Sequence, residues 1–448
     1  MLDSTLQRGR YVHFARDHDT GTWILANLFN GRYLELDDSE FSIAHSLLGS
    51  APDAHIVDHS RSTGLLERLT RNGFLISGDF DELDELQRTF VRKKFLPKDA
   101  GLAVVLTHAC NLRCVYCNQD HRTVRLSNTD EVRFKRFFSR HIDELDRIAV
   151  TWWGGEPLLE TDRIQSLSEH FIAECDAKGV EYSAYTSTNG VLISDAVAKL
   201  FRACRFRTIQ ISIDGPKEHH DFHRPNVGGR GTFDKIQAGI ECLDKEFEGS
   251  ELDVVIRVNI SAHTPTDPEE WRRLLDWLSK FVPLVKISFV PVIDTFRFSE
   301  ENVLPNDIYH ERFSFLFDLA ADAHIPIAED SILTRKGELH CGAVANKNWF
   351  LLPDSHLTKC TMKFDDPDEY CGHLDDAGNV ELNDVARDWL SFSPFDHHLC
   401  SNCDVLLACM GGCQLVDFAH HSGHRCNIKN AVASSVLRQA RDRMERAN

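Results

Sequence analysis

Three cysteines lie close together in one short stretch of the chain, in the order Cys110, Cys114 and Cys117. Their C-x3-C-x2-C spacing supplies three thiolates from a single loop, whereas iron–sulfur clusters usually take four. A four-iron cluster bound by only three thiolates leaves one iron open to another molecule. Zinc is the alternative for the triplet alone, because His108 and His121 flank it, although zinc sites favour C-x2-C pairs and four ligands.

A second set of seven cysteines follows in the carboxy-terminal third. Five of them have the spacing C-x2-C-x5-C-x3-C-x12-C and two precede these; in order they are Cys341, Cys360, Cys400, Cys403, Cys409, Cys413 and Cys426. Seven cysteines exceed the needs of one zinc site, which takes four ligands. Four of the fourteen cysteines lie outside both sets. We predict that Cys175, Cys204 and Cys242, which lie in helical patterns, are small buried apolar residues, and Cys371 is the fourth.

Strand-like and helix-like segments alternate from Gly101 onwards. The predicted strands are 103–108, 147–153, 182–188, 208–214, 254–261 and 285–292, and the predicted helices are 129–145, 161–178, 194–203, 232–247 and 268–280. Such alternation predicts a parallel sheet with crossover helices. Because ligands gather at the carboxyl ends of parallel strands, we expect the functional residues there, beside the first cysteine loop.

Residues suited to ligand binding follow several of these strands. Glycine lets the backbone approach a ligand closely, and the fork of an arginine suits a carboxylate. The candidates are Tyr116 in the cysteine loop, Gly154, Gly155, Glu156 and Pro157 after strand two, Ser187 and Asn189 after strand three, Ser212, Asp214 and Arg224 after strand four, and Asn259 in strand five. Some of these residues have a structural explanation as an alternative to ligand binding. The glycines could simply form a tight turn, Asp214 could stiffen its turn, and Tyr116 could shield a metal cluster from water.

The first ninety residues have a different pattern. Residues 22–36 predict a β-hairpin, because Asn30-Gly31 lies between apolar and aromatic stretches. Asp38 or Ser39 is a candidate cap for a helix through about residue 48, and a second helix near 62–71 should end at Asn72-Gly73. A short strand at 74–76, an acidic linker at 78–85 and a helix to about residue 94 follow. Together these elements predict a small winged-helix-like α+β domain.

Composition excludes several classes of protein. The 448 residues carry a formal net charge of −19, so a phosphate backbone would be repelled and nucleic acid is not an expected partner. No apolar run reaches the roughly 20 residues that a membrane helix needs, and no signal peptide begins the chain, so no membrane association is expected. Abundant cysteine without a secretion signal predicts a reducing, cytoplasmic location and metal binding.

The cysteine triplet and the motifs after the strands together resemble the radical SAM family. The resemblance implies a partial (β/α)6 barrel and a [4Fe–4S] cluster whose open iron is chelated by S-adenosylmethionine (SAM). The run from Trp153 to Pro157 resembles the family's GGEP motif, in which the backbone and the glutamate bind the methionine amino group. The run from Ser212 to Arg224 resembles an SxDGP…HxxxR pattern. It implies that Ser212 contacts the ribose and Arg224 the methionine carboxylate; Asn259 is a further ribose candidate, and Tyr116 a candidate cover for the adenine.

The carboxy-terminal cysteines resemble the SPASM domain, which carries two auxiliary [4Fe–4S] clusters. The resemblance implies a distal cluster on Cys400, Cys403, Cys409 and Cys426, and a nearer cluster on Cys341, Cys360 and Cys413. Two departures concern the nearer cluster. Ser355 stands where the family commonly has glycine, so we expect a distorted turn, and a further cysteine found in some relatives is absent after Cys341. We therefore expect an open iron in that cluster unless Cys371 supplies the fourth ligand.

These interpretations give a complete expected architecture. It comprises a winged-helix-like domain (1–90), which is a possible recognition element for a leader peptide, a radical SAM partial barrel (100–300), a linker (301–340), a SPASM domain (341–430) and a carboxy-terminal helix (431–448). The equal alternative for the first domain is packing against the barrel edge. A precursor peptide or protein would be the substrate, and a flavodoxin or ferredoxin the electron donor.

Three functions remain open from the sequence. The first is a maturase that forms a thioether, C–C or C–O crosslink in a ribosomally made peptide. The second is a two-electron oxidation without a crosslink, as in the anaerobic sulfatase maturases that make formylglycine, for which Asp294 and Asp354 are candidate acid/base residues. The third is an electron-transfer or iron-storage scaffold, which would not need the GGEP-like and SxDGP-like motifs.

Overall fold

The computed structural model describes residues 6–16, 20–49, 59–117, 119–292, 304–328, 339 and 341–414. The chain forms two compact units. The terminal unit comprises Met1–Leu96, Ile332–Cys341 and Ser393–Asn448, and the barrel unit comprises Pro97–Ser331 and Gly342–Phe392, each to the extent that its residues are described. The expected carboxy-terminal helix at 431–448 lies outside the described residues.

The described residues in the amino-terminal part of the terminal unit form five strands and three helices. They are β1 (Leu6–Arg8), β2 (Val12–Arg16), β3 (Trp23–Asn27), β4 (Arg32–Leu36), α1 (Asp38–Leu48), α2 (His59–Arg71), β5 (Leu75–Ser77) and α3 (Glu82–Phe95). The predicted hairpin is confirmed as the antiparallel pair β3–β4, and β2 pairs with the other side of β3. Strand β5 pairs with β1 in a separate two-stranded sheet.

The caps of these helices follow local side-chain chemistry. The predicted cap of α1 was wrong by one residue: the N-cap is Asp37, whose carboxylate accepts from the Glu40 amide at 2.7 Å, while the Glu40 side chain bonds back to the Asp37 amide. This reciprocal capping box satisfies two otherwise orphaned donors. Helix α2 ends at Arg71, and Asn72-Gly73 follows it as predicted, with a φ of +71° at Gly73.

The described residues of the barrel unit form ten strands and eight α-helices. They are β6 (Asp99–Thr107), α4 (Asn128–His141), β7 (Arg147–Gly154), α5 (Thr161–Lys178), β8 (Glu181–Thr188), α6 (Asp195–Ala203), β9 (Phe206–Ser212), α7 (Lys217–His223), α8 (Phe233–Glu246), β10 (Asp253–Ile260), α9 (Pro268–Leu278), β11 (Val285–Pro291), α10 (Asn306–Asp322), β12 (Trp349–Leu351), β13 (His356–Thr358), β14 (Gly372–Leu374), β15 (Val380–Leu382) and α11 (Asp384–Ser391). Two short helices of the terminal unit follow, α12 (His398–Ser401) and α13 (Leu406–Cys409).

The six predicted strands form the parallel part of one sheet, in the order β11-β10-β9-β8-β7-β6. The sequence prediction placed each of them within a few residues. Beyond β6 the sheet continues with β12, which pairs parallel to β6, and then with the antiparallel strands β13, β14 and β15. The continuation and helix α10, which lies within the expected linker, were not predicted.

The two faces of the parallel sheet differ in chemistry. One face packs on the helices in a single apolar core, in which Trp152 of β7 stacks near Phe171 of α5. Parallel sheets are usually apolar on both faces. Here the alternate residues, which point away from the helices, are largely polar; they include Ser187, Gln210, Ser212, Arg257 and Ser288. This second surface, the inner face, therefore suits a polar ligand.

Two predictions about apolar burial have different outcomes. Cys175 and Cys204 are buried in the barrel core as predicted, whereas Cys242 on α8 is only half-buried. Cys242 therefore does not act as a core residue. Among the described helices, none combines the length and apolar character required to cross a membrane.

Candidate active site

The cysteine loop follows β6 and pairs through its backbone with the segment after α7. The Arg113 amide donates to the Pro225 carbonyl at 2.8 Å, and the Val115 amide donates to the His223 carbonyl at 3.0 Å. Alternate residues of such a ribbon point in opposite directions. Arg113 and Val115 are accordingly exposed, whereas Cys114 between them is more buried. The backbone pairing thus turns Cys114 away from solvent.

The three thiols lie near one another and are shielded from water. Burial raises the pKa of Cys110 to about 12 and that of Cys114 to about 11, and each thiolate would also repel its neighbours. The Leu112 amide points at the Cys110 sulfur at 3.4 Å, and His121 Nε2 lies 3.6 Å from the Cys117 sulfur. Binding of a metal would therefore release thiol protons, as it does at other thiolate sites.

The positions of the three thiols distinguish between a single metal ion and a four-iron cluster as the group they could bind. In the described part of the chain, no three His, Cys, Asp or Glu side chains are arranged to hold a single metal ion. A four-iron cluster makes a different demand, because each of its thiolates binds a different iron. Three neighbouring thiols on one loop are therefore compatible with a cluster, and this donor set is the thiolate chemistry that such clusters use.

The glycine pair after β7 is required by close backbone packing against the start of the cysteine loop. A Cβ on Gly154, whose φ is +147°, would lie 2.4 Å from the Thr107 carbonyl oxygen, and a Cβ on Gly155 would lie 2.4 Å from the Ala109 carbonyl oxygen. The Glu156 amide donates to the same Ala109 oxygen at 2.9 Å. No side chain fits in this space, so the glycines set the distance between the two loops.

The carboxylate of Glu156 faces the protein. It is fully buried and accepts hydrogen bonds from the Thr188 hydroxyl at 2.7 Å, the Asn189 amide at 2.8 Å and the Leu158 amide at 3.0 Å. Burial raises its pKa, although these donors oppose the shift. The side chain therefore joins the loop after β7 to the end of β8. This geometry differs from the contact to a methionine amino group that the resemblance implies, and Pro157 is buried in the turn that follows.

Tyr116, Asp214, Arg224 and Asn259, all predicted, meet in one buried network. The Tyr116 hydroxyl donates to Asp214 and accepts from Arg224. Asn259 Nδ2 lies 2.8 Å from Asp214 Oδ1 and 3.1 Å from the tyrosine oxygen. Burial would raise the pKa of Asp214, but the nearby guanidinium of Arg224 and these hydrogen bonds outweigh it and hold the pKa below its usual value. Asp214 is therefore a charged partner that orients the other three.

Arg224 has a hydrogen-bond donor in this network that is available to a ligand. Its side chain is 8% exposed, and its Nη1 lies 3.6 Å from Asp214 Oδ2. Its buried Nε has no hydrogen-bond partner among the described residues. Buried N–H groups are nearly always satisfied, so an orphaned one marks the place of an absent acceptor. A carboxylate of a bound ligand is such an acceptor.

The remaining predicted residues lie at the ends of β8 and β9. Asn189 Nδ2 donates to Asn111 Oδ1 at 2.7 Å and lies 3.8 Å from the Cys110 sulfur, so it contacts the cysteine loop directly. Ser187 accepts from Gln210 Nε2 at 2.9 Å, and Ser212 is buried at the end of β9. Sequence reasoning missed Gln210. Its signal was a polar residue inside an apolar strand, two positions before Ser212.

The carboxy-terminal cysteines are described in part. Cys400, Cys403, Cys409 and Cys413 belong to the terminal unit, where Cys400 packs with Tyr11, Val405 and other apolar residues. Cys426 and the candidate acid Asp294 lie outside the described residues. Cys341 and Cys360 fall in different units, the first exposed and the second buried. Asp354 lies in the turn that contains Ser355.

Cys371 occupies a different environment. Its side chain is fully buried within the apolar core of the barrel unit, and its sulfur lies 3.7 Å from the Glu369 carbonyl oxygen. Burial raises its pKa to about 11, despite the nearby charge of Lys359. A thiol packed among aliphatic side chains is typical of structural cysteine. The geometry therefore disfavours Cys371 as a cluster ligand.

Ser355 shows how the chain replaces a glycine. Its φ is +60° and that of Asp354 is +65°, both in the left-handed region. The Ser355 hydroxyl donates to Asp130 Oδ1 at 2.6 Å and accepts from Arg133 at 3.2 Å. The turn thus takes the left-handed conformation that glycine favours, and a hydrogen bond to a buried carboxylate compensates for the strain.

The fold is a parallel half-barrel of the α/β class. A loop with three cysteines follows its first strand, and a buried polar network lies beside that loop. This arrangement is compatible with an enzyme that binds an iron–sulfur cluster. Residues 104–279 match the family model described as the radical SAM superfamily. This match covers the cysteine loop and strands β7 to β10, so residues 104–279 form a radical SAM domain, and that family implies a [4Fe–4S] cluster and SAM.

Several relatives are anaerobic sulfatase-maturating enzymes. The serine-type enzyme of Klebsiella aerogenes is 33% identical over 159 residues, 35% of this chain and 39% of that protein. The cysteine-type enzyme of Clostridium novyi is 24% identical over 328 residues, 68% of this chain and 85% of that protein. Mycofactocin maturase MftC of Mycolicibacterium smegmatis is 32% identical over 161 residues, 34% and 36% of the two chains. The chain thus spans about two fifths of the first of these relatives.

A solved structure has the same fold. Native anSMEcpe with bound AdoMet and Cp18Cys peptide superposes with a TM-score of 0.61 at 17% identity, over 78% of this chain and 98% of that one. At this identity the similarity concerns the fold alone.

Proposed function

We propose that this protein is a radical SAM maturase that modifies a peptide or protein. The observation that carries the proposal is the position of the cysteine loop: Asn189 reaches it from β8, and Tyr116 within it joins the buried network of Asp214, Arg224 and Asn259. Cys110, Cys114 and Cys117 would hold the cluster. When bound, the cluster and SAM would supply one-electron reductive cleavage of the sulfonium C–S bond, followed by abstraction of a hydrogen atom from the substrate.

Each residue of the network has a separate task in this proposal. Arg224 binds the methionine carboxylate through its unpartnered Nε, and Asp214 keeps the guanidinium charged and oriented. Ser212 and Asn259 contact the ribose from neighbouring strands. The hydroxyl of Tyr116 is already engaged, so its ring is held in place at the edge of the adenine position. Glu156 acts indirectly, because its carboxylate accepts from the Asn189 amide and so positions Asn189.

We propose a peptide crosslink as the product. The terminal unit supports this choice: among its described strands, β4 lies at the edge of the β2-β3-β4 sheet, where an extended leader peptide would pair with it. In this interpretation residues 1–90 recognise the leader, and the cysteines from Cys341 to Cys426 hold two auxiliary [4Fe–4S] clusters. A flavodoxin or ferredoxin in the cytoplasm would donate the electron.

The second candidate is a two-electron oxidation of a protein side chain. It is favoured by the long alignment to the cysteine-type sulfatase-maturating enzyme of Clostridium novyi, which covers 85% of that protein. The two candidates share the cluster loop and the SAM network and differ in the product. Mass spectrometry of a modified substrate separates them, because a crosslink and a formylglycine give different mass changes and fragments.

The test of the shared chemistry uses anaerobically reconstituted full-length protein. Iron and sulfide are quantified, dithionite and SAM are added, and 5′-deoxyadenosine is measured. We expect about twelve irons per chain for three four-iron clusters. The triple variant C110A/C114A/C117A should lose about four irons and all product, whereas Cys242→Ala, a half-buried thiol outside both sets, should retain both. Zinc in place of iron, or clusters without SAM cleavage, would refute the proposal and favour the scaffold.

A further inference from the structure

The inner face of the barrel unit carries an arginine that none of the tasks above uses. Arg257 lies on β10, two residues before Asn259, at a position that alternates with the core residues Ile256 and Val258. It is half-buried. A cation on the inner face of a sheet carries a desolvation cost, so a partner of opposite charge is expected.

Arg257 is bonded to the SAM network but is not neutralised. Its Nε donates to Asn259 Oδ1 at 3.1 Å, and Asn259 in turn bonds Asp214 and Tyr116. No carboxylate within the described ranges forms an ion pair with it. By contrast, Lys286 on the next strand pairs with Asp253 at 2.8 Å. The two terminal nitrogens of Arg257 therefore remain available as a fork.

The neighbours of Arg257 on both adjacent strands are serines. In the register of the sheet Arg257 lies opposite Ser212 of β9 and opposite Ser288 of β11. Ser288 is fully buried, and its hydroxyl has no hydrogen-bond partner in the part of the chain that the structure describes. Buried hydroxyls without partners are uncommon and call for an absent acceptor or donor. Two small hydroxyl residues also leave space around the guanidinium.

We propose that Arg257 and Ser288 form a carboxylate-binding subsite for an acidic residue of the peptide substrate. This inference rests on the proposed function and adds the substrate class. A fork-shaped guanidinium beside the unpartnered hydroxyl group of Ser288 presents several donors to a carboxylate. The methionine carboxylate of SAM is the other source of this chemistry. The proposed function assigns that group to Arg224, whose Nε is orphaned, so a second fork is left for the substrate.

The test compares two synthetic tripeptides, Ac-Gly-Asp-Gly-NH2 and Ac-Gly-Asn-Gly-NH2, which differ only in the charged group. Binding to anaerobically reconstituted full-length protein, with and without SAM, is followed by NMR line broadening of the 13C-labelled side-chain carbonyl. Wild type should bind the aspartate peptide about 10- to 100-fold more tightly than the asparagine peptide, as expected for hydrogen bonds to a charged group. Arg257→Gln should abolish this ratio, and Arg257→Lys should restore only part of it.

The control is Arg207→Gln. Arg207 lies on the neighbouring strand β9, is exposed and pairs with Glu251 at 3.2 Å, so its loss should leave the peptide ratio at the wild-type value. A wild-type ratio near one would overturn the subsite. A fall in SAM affinity in Arg257→Gln with an unchanged peptide ratio would also overturn it and assign the guanidinium to the methionine carboxylate. Peptide binding is measured without turnover, so a failure to form 5′-deoxyadenosine counts against the proposed function alone.

Discussion

The buried carboxylate of Glu156 permits a test that separates a structural role from a ligand contact. Replacement by glutamine keeps the size of the side chain but removes its charge. The carboxylate accepts from three donors, and two of these are the backbone amides of Leu158 and Asn189, which cannot reverse their direction. The Thr188 hydroxyl can reverse.

The magnitude follows from this geometry. A glutamine oxygen can serve at most one side of the site, so its amino group faces a donor on the other side. Leaving one buried donor unsatisfied costs about 1–3 kcal/mol, and the two remaining bonds lose their charge assistance. We therefore expect Glu156→Gln to lower the free energy of local unfolding by about 2–3 kcal/mol. Glu156→Ala, which orphans all three donors, should cost about 3–5 kcal/mol.

The assay is native-state hydrogen exchange of the Asn189 amide. A loss of 2–3 kcal/mol corresponds to roughly 30- to 150-fold faster exchange, and local measurement avoids fitting a two-unit chain as one transition. Glu160→Gln is the control. Glu160 ends the same turn, and its ion pair with Arg125 at 3.1 Å is weakened by solvent because the arginine side chain is 58% exposed. If Glu156→Gln left the exchange protection of the Asn189 amide unchanged but weakened SAM binding, this reasoning would be refuted. Glu156 would then be a direct contact of SAM.

Three further variants test features of the barrel unit. Ser355→Ala should destabilise the unit by about 1.5–3 kcal/mol, because the hydrogen bond to Asp130 is lost. Ser355→Gly should cost about 1 kcal/mol less, because glycine relieves the left-handed strain. Equal melting temperatures of the two variants would contradict this expectation. Lys359 is buried and donates to the carbonyls of Ala345 at 2.7 Å and Asn348 at 2.6 Å, so Lys359→Met should cost about 2–4 kcal/mol in calorimetry, and a neutral result would show that those carbonyls find other donors. Burial opposes ionisation of Glu131, but hydrogen bonds from Lys135, Ser166 and Arg163 lower its pKa to about 2. Because the folded pKa lies below the unfolded value, this stabilisation is present above about pH 4.5 and is lost as the pH falls towards 2. The difference in urea stability between wild type and Glu131→Gln should therefore narrow from pH 7 to pH 3, and a constant difference would exclude this linkage.

The local hydrophobic pattern was sufficient to predict the six parallel strands, but it did not predict the strands that extend the same sheet beyond β6. The six parallel strands are long and apolar on the helix side, so their periodicity survives in the sequence. Strands β12 to β15 have three residues each, which is too short for an alternating apolar pattern to be recognised. They form because β12 pairs with the edge of β6, which is distant in the sequence. The cap of α1 was placed one residue late because three acidic or hydroxyl residues in succession are all suitable caps.

The spacing of the cysteines and the motifs after each strand determined the class of protein, because a cluster loop, a glycine contact and an arginine fork each need particular residues at particular intervals. The sequence also indicated which residues meet, since parallel strands carry their carboxyl ends to one edge. The direction of each side chain was decided by the tertiary structure. Glu156 and Cys371 face the protein, and Ser288 and Arg257 share one level of the sheet, because burial and strand register depend on partners that are distant in the chain.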